Sequence, residues 1–244
     1  MDHFVFAAIV VAVAGMVRGA TGFGFALISA IALSQVMPVA LVTPMLMLIE
    51  MVLTATILWD GGAAALNLKR AAPLYVGGAF GVALGLALFT ALSGPMLKIV
   101  LDAVILVSAA LALVHVRLPW LDRTWIAVIV GLLTGAAVGA FAVGGPIAVV
   151  WLLAIGAPPP YMRATLTVFF SGVDLLSIAG RLATGTFPRE ALIGALWLAP
   201  IGAAGTLVGG MIFRRLNPTH WRIGIAAFIA VAALLSLGRS LLVG

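Results

Sequence analysis

Gly15-Met-Val-Arg-Gly-Ala-Thr-Gly-Phe-Gly24 lies inside the first apolar stretch of the chain. It is too rich in glycine for an ordinary helix centre, where each glycine costs about 1 kcal/mol relative to alanine. A second stretch, Gly131-Leu-Leu-Thr-Gly-Ala-Ala-Val-Gly-Ala-Phe-Ala-Val-Gly-Gly-Pro146, repeats the Gly-x-x-x-Gly-Ala opening and breaks as sharply. Two interrupted apolar segments at corresponding places in two halves mark the substrate site of a membrane carrier.

Composition narrows the field further. Of 244 residues, 64% are apolar and 8% charged, with a mean hydropathy of +1.30, whereas soluble domains carry about a quarter charged residues. An all-α polytopic membrane protein follows, with the lipid bilayer as its solvent. The net charge of +6 is scattered singly or in pairs at segment ends, a pattern that fixes topology and predicts no nucleic-acid partner. There are no cysteines, which removes disulfides, Fe-S clusters and thiol catalysis. His3, His115 and His220 have no carboxylate or second histidine at ligand spacing, so neither metal nor cofactor is expected. Enzyme chemistry is disfavoured for the same reason: the serines lack a histidine at membrane depth and no His-Glu-x-x-His run exists.

About eight apolar segments run from 4 to 35, 39 to 58, 72 to 92, 96 to 116, 125 to 156, 161 to 183, 190 to 213 and 219 to 242. The first and fifth, at about 48 Å of helix, exceed a hydrocarbon core of about 30 Å. Each is therefore either a tilted, broken helix or a re-entrant pair of half-length helices. Treating both as re-entrant puts eight basic residues on one side (Lys69, Arg70, Arg117, Arg123, Arg163, Arg214, Arg215, Arg222) and four on the other (Lys98, Arg181, Arg189, Arg239). That asymmetry favours the re-entrant form. Three further spans per half give an odd number of crossings and hence inverted repeats, residues 1–122 and 123–244, within one integral membrane unit. Pro38 with Thr43 resembles Pro160 with Thr165, and Glu50 and Asp174 put one acid in each following span. The series Gly77, Gly81, Gly85 predicts a close-packing stripe for a neighbouring helix or for a second copy in a homodimer.

A broken helix exposes backbone N–H groups and a positive dipole end, which can replace an anion's hydration shell. Gly22, Gly24, Gly144 and Gly145 fall where the helices must end, and Thr21 adds a hydroxyl. Phe23 and Phe141 are candidate walls. Gly19 and Gly135 read as packing glycines. Arg18 is an intramembrane cation, costing about 2.5 kcal/mol or more unless partnered, and is expected to attract the small anionic substrate or to pair with Glu50 or Asp174. Those two acids are the candidates for carrying a coupled proton; for Asp174 a structural ion pair with Arg181 is the alternative. Arg163 reads as a topology charge. Carriage by alternating access is the expectation, with an anion channel or an accessory subunit of a larger complex as alternatives.

The run Gly15-x-x-x-Gly19-x-Thr-Gly-Phe-Gly24, the repeated break from Gly131 to Pro146 and the eight apolar segments in two halves resemble the TauE/SafE family, the sulfite exporter and sulfonate permease group. The resemblance covers nearly the whole chain. It implies movement of sulfite, sulfonates or related small organic anions across a bacterial plasma membrane. One departure stands out: Val138-Gly-Ala-Phe-Ala replaces Thr21-Gly-Phe-Gly at the second break.

Overall fold

The computed structural model describes residues 2–59, 61–93, 96–97, 99–101, 103–104 and 118–215. The eighth apolar segment, most of the fourth, the side chain of His3, and Asp60, Pro95, Lys98, Asp102, His115, Arg117, Pro218, His220, Trp221, Arg222 and Arg239 lie outside the described residues. Among those described there is helix and no strand. The helices are α1 (Asp2–Thr21), α2 (Phe25–Leu33), α3 (Val39–Trp59), α4 (Leu68–Ala91), α5 (Thr124–Phe141), α6 (Gly145–Ala154), α7 (Pro159–Ala183) and α8 (Arg189–Arg215). Six of them, all but α2 and α6, are long and apolar enough to cross a membrane.

Both long apolar segments break at the glycines, but not into equal pieces. α1 has 20 residues and α5 has 18, about 30 and 27 Å, so each can span by itself. α2 and α6, with 9 and 10 residues, reach about halfway. The expected pair of half-length helices is thus a span-length helix followed by a half-length one.

The widest helix–helix contacts join α4 to α5 and α1 to α8, and glycine makes both possible. A Cβ on Gly77, Gly81 or Gly85 would fall on the carbonyls of Val128, Leu132 or Ala136 of α5; one on Gly131 or Gly135 would fall on those of Leu74 or Gly78. The stripe in α4 therefore packs inside the chain and not on a second copy. The same arrangement recurs at α1 and α8, where Gly15 and Gly19 meet Gly202 and Thr206, while Gly205 and Gly209 meet Ala12 and Met16. Contacts advance in the same direction on both partners, so each pair runs parallel. Lipid offers little hydrophobic drive between helices, and such close approach is the main source of association. Thr206 adds a hydrogen bond from its hydroxyl to the Gly15 carbonyl at 3.2 Å.

Each of these pairs takes one helix from either side of residue 122, which interlocks the chain. Aromatic packing does the same. Phe23 is buried with Leu74, Leu152, Phe169 and Val173, whereas Phe141 is buried with Phe25, Leu46, Leu53 and Phe89. Trp59, Trp120 and Trp125 are exposed near helix ends, where indole suits a membrane interface.

Gly81→Ala is expected to destabilise the detergent-purified protein by about 1–3 kcal/mol, the usual cost of overpacking. Gly172→Ala, whose new methyl would meet nothing within 4 Å, is expected to be neutral or mildly stabilising. Thermal unfolding of the two variants side by side checks this; equal Tm losses would refute the packing account.

Candidate functional site

The first break forms because Thr21 draws the chain out of the helix. Its hydroxyl lies 2.8 Å from the carbonyls of both Val17 and Phe23, and it accepts the Phe23 N–H at 3.3 Å. Gly22 and Gly24 then take φ of 85° and 94°, the left-handed region open to glycine at little cost. The second break shares one left-handed residue with the first but not the other, since Gly144 has φ −147° where Gly24 has 94°. α2 and α6 start at 25 and 145, and α3 and α7 at 39 and 159, so one displacement aligns Thr21-Gly-Phe-Gly24 with Phe141-Ala-Val-Gly144. Ala142 sits at φ 59° where the first break has Gly22. The same alignment sets Arg18 against Val138, Glu50 against Phe170 and Thr54 against Asp174. On that displacement Glu50 and Asp174 do not fall at matching positions, and Pro38 matches Pro158, two residues before Pro160.

Both breaks open onto one cavity. It is lined by Arg18, Gly24, Ala26, Leu27, Glu50, Ala142, Val143, Gly144, Gly145 and Phe170. Two short helices begin there, α2 after Gly24 and α6 after Gly144, neither with a side-chain cap. Their first-turn N–H groups lack intrahelical partners by construction, although Pro146 removes one of those donors from α6. The Phe23 ring packs on Gly145, whose added Cβ would lie 3.2 Å from it. The cavity measures about 10 Å³, room for about one water molecule.

Arg18 is fully buried. It donates from Nη1 to Glu50 Oε1 at 2.8 Å and from Nη2 to Thr54 Oγ1 at 2.8 Å, while Nε has no hydrogen-bond partner. Asp174 is also fully buried and lies in the neighbourhood of Glu50 and Arg18. Neither Asp174 oxygen meets a donor, and a hydrogen bond between Asp174 and Glu50 requires a proton on one of them. One cation and two acids thus share a small volume, and the ion pair recovers part of the desolvation cost of each partner.

Of the residues singled out in the sequence, Arg18, Gly24, Glu50, Gly144 and Gly145 line the cavity. Asp174 is not part of the lining. Thr21 spends its hydroxyl on the backbone of the break, Gly22 packs against Arg163, and Phe23 props the second break. Phe141 instead borders a separate apolar cavity of about 450 Å³, with Leu88, Val100 and Ala136.

Four residues carry weight that the sequence did not reveal. Thr54 and Phe170 complete the cavity region as ordinary helix residues, without any local signal. Arg163, read as a topology charge, is buried at 6% exposure and donates from Nε to the Gly19 carbonyl at 3.1 Å, satisfying the end of α1. Arg181, counted among loop charges and as a partner for Asp174, is buried and donates to the Gly139 and Ala140 carbonyls at 2.7 and 3.1 Å. A singleton arginine near a segment end looks the same in sequence whether it turns outward or inward. Helix ends deprived of carbonyl partners inside a membrane are the signal that could have found both.

A family model described as "Sulfite exporter TauE/SafE" matches residues 7–236. No curated protein and no solved structure matches the chain.

Arg18→Ala is expected to cost about 3–5 kcal/mol, because it strands Glu50 in the interior, while Arg18→Met with Glu50→Met recovers most of that loss. Denaturation in detergent tests the pair, and a double variant no better than the single would refute it. Ala142→Gly, relieving a left-handed alanine, is expected to stabilise by up to about 1 kcal/mol; a loss of Tm would show that the methyl is needed.

Proposed function

The chain belongs to the sulfite exporter TauE/SafE family, a family of membrane transporters, and from that premise we propose that it carries a small sulfur oxyanion or sulfonate across the bacterial inner membrane. The single observation behind the site assignment is that Arg18 and both glycine breaks line one cavity. Backbone N–H groups, two positive helix ends and a guanidinium make an anion receptor that needs no soluble domain and no cofactor.

The ion pair suggests how a proton enters. To hold an anion, Arg18 has to loosen from Glu50. Glu50 and Asp174 would then face one another as two buried carboxylates beside a new negative charge. One proton shared between them lowers that repulsion. Anion and proton binding are linked in this scheme because both act on the same guanidinium.

A cavity with room for about one water molecule is too small for a sulfur oxyanion, which supports a cycle in which the helices around the breaks move apart toward one face at a time. The two halves, 1–122 and 123–244, are proposed to be inverted repeats. Arg163, near the start of α7, holds the end of α1, whereas Arg181, near its finish, holds the end of α5. Some 27 Å of helix separate these arginines, so α1 and α5 end toward opposite ends of α7. That geometry supports alternating access by exchange of the two halves.

Uptake of radiolabelled sulfite and of a short organosulfonate into proteoliposomes, with and without an imposed pH gradient, tests the proposal. Wild type is expected to show gradient-dependent flux, Arg18→Ala to lose at least about tenfold in kcat/KM, or about 1.4 kcal/mol, and Glu50→Gln to keep flux but lose its response to the gradient. Flux that ignores the gradient in wild type would point to a channel. No flux of either anion would overturn the substrate class.

A further inference from the structure

Arg181 has a second property that a helix cap does not require. It is fully buried. Its Nη2 serves the Gly139 and Ala140 carbonyls, and its guanidinium carbon lies 3.9 Å from the centroid of the Phe89 ring. Nε and Nη1 have no hydrogen-bond partner. Neither ion pair seen here, Arg18 with Glu50 or Arg70 with Asp122, involves Arg181, so among the described residues no carboxylate neutralises it.

Two carbonyl dipoles and a ring face soften a buried positive charge without cancelling it. A neutral donor would satisfy a carbonyl at far smaller desolvation cost, as Thr206 does for Gly15. Asp174 is the nearest acid along α7, about two turns away, and it has no donor of its own. A buried cation and a buried acid thus share one helix within the membrane without pairing. The carbonyls that Arg181 holds belong to the last turn of α5, and the residues that follow, Ala142 and Val143, line the central cavity. A mobile anion leaving that cavity past the second break would first meet the negative end of α5, which repels it, unless a cation is stationed there.

We infer that Arg181 is a second contact point for the transported oxyanion, occupied between the central cavity and the membrane face at which α7 ends. This rests on the anion-carrier reading. The free N–H donors on Nε and Nη1 suit an oxyanion, for which guanidinium is the best-matched side chain. In the resting geometry the carbonyls of Gly139 and Ala140 hold the group in place, and the anion takes over as α5 shifts.

Selenite is a heavy-atom analogue of sulfite, and the absence of cysteine removes the thiols that would reduce it. Selenium-edge anomalous maps from wild-type crystals soaked in selenite are expected to show a peak within hydrogen-bond distance of Arg181, separate from the central cavity. Crystals without that peak overturn the inference. The functional arm uses sided vesicles of phosphatidylcholine, which exclude anionic headgroups as the ligand. There Arg181→Gln, with an unchanged gel-filtration profile, is expected to raise the KM for sulfite at least about tenfold from one face only. A change that is equal from both faces, or absent, overturns the inference in favour of a structural cap. If wild type moves no sulfite, the carrier reading itself has failed, a result distinguishable from a working wild type that ignores Arg181.

Discussion

A guanidinium fully enclosed in a membrane protein needs a reason to be there, and Arg18 supplies the constraint around which the other parts are placed. Its charge is tolerated because Glu50 and Thr54 from α3 reach it at 2.8 Å. That requires α3 to pass beside the end of α1, and it requires α1 to stop within reach of the same space. Thr21 and two left-handed glycines stop it. α2 then restarts with its positive end at the cavity. A charge that is costly in lipid thus becomes the fixed point of the proposed anion site.

Interhelical glycine contacts hold that arrangement together. α1 rides on α8 and α5 on α4 through near backbone contact, each pair joining the two sides of residue 122. The breaks are joined less tightly, by the Phe23 ring on Gly145 and by a cavity with little more than a water's volume. Two closely packed pairs meeting at a thin, glycine-lined seam suit the proposed rocking about a central site.

Much of this was legible in the residues. Apolar length and glycine interruption gave the membrane class and the two breaks, and the cost of an intramembrane arginine singled out Arg18. What stayed hidden depended on side-chain direction and on register. Arg163 and Arg181 were indistinguishable from loop charges because a sequence does not show that a helix end nearby lacks carbonyl partners. Glu50 and Asp174 looked like repeat partners because both are acids in matching spans, yet the helix starts align Asp174 with Thr54. Ala142 in a left-handed conformation was equally invisible, since alanine carries no signal for positive φ. Thr21 had the right chemistry for a ligand but found a nearer acceptor in its own backbone.

The two breaks line one space. The chain contains no cysteine, so Ala26→Cys with Val143→Cys introduces a single pair of thiols, one from each break, both lining the cavity. Treatment of the reconstituted protein with a short homobifunctional thiol reagent is expected to bridge the pair, seen by mass spectrometry as an intramolecular link, and to abolish transport. Two thiols that each react singly and never bridge would place the breaks apart and contradict the account.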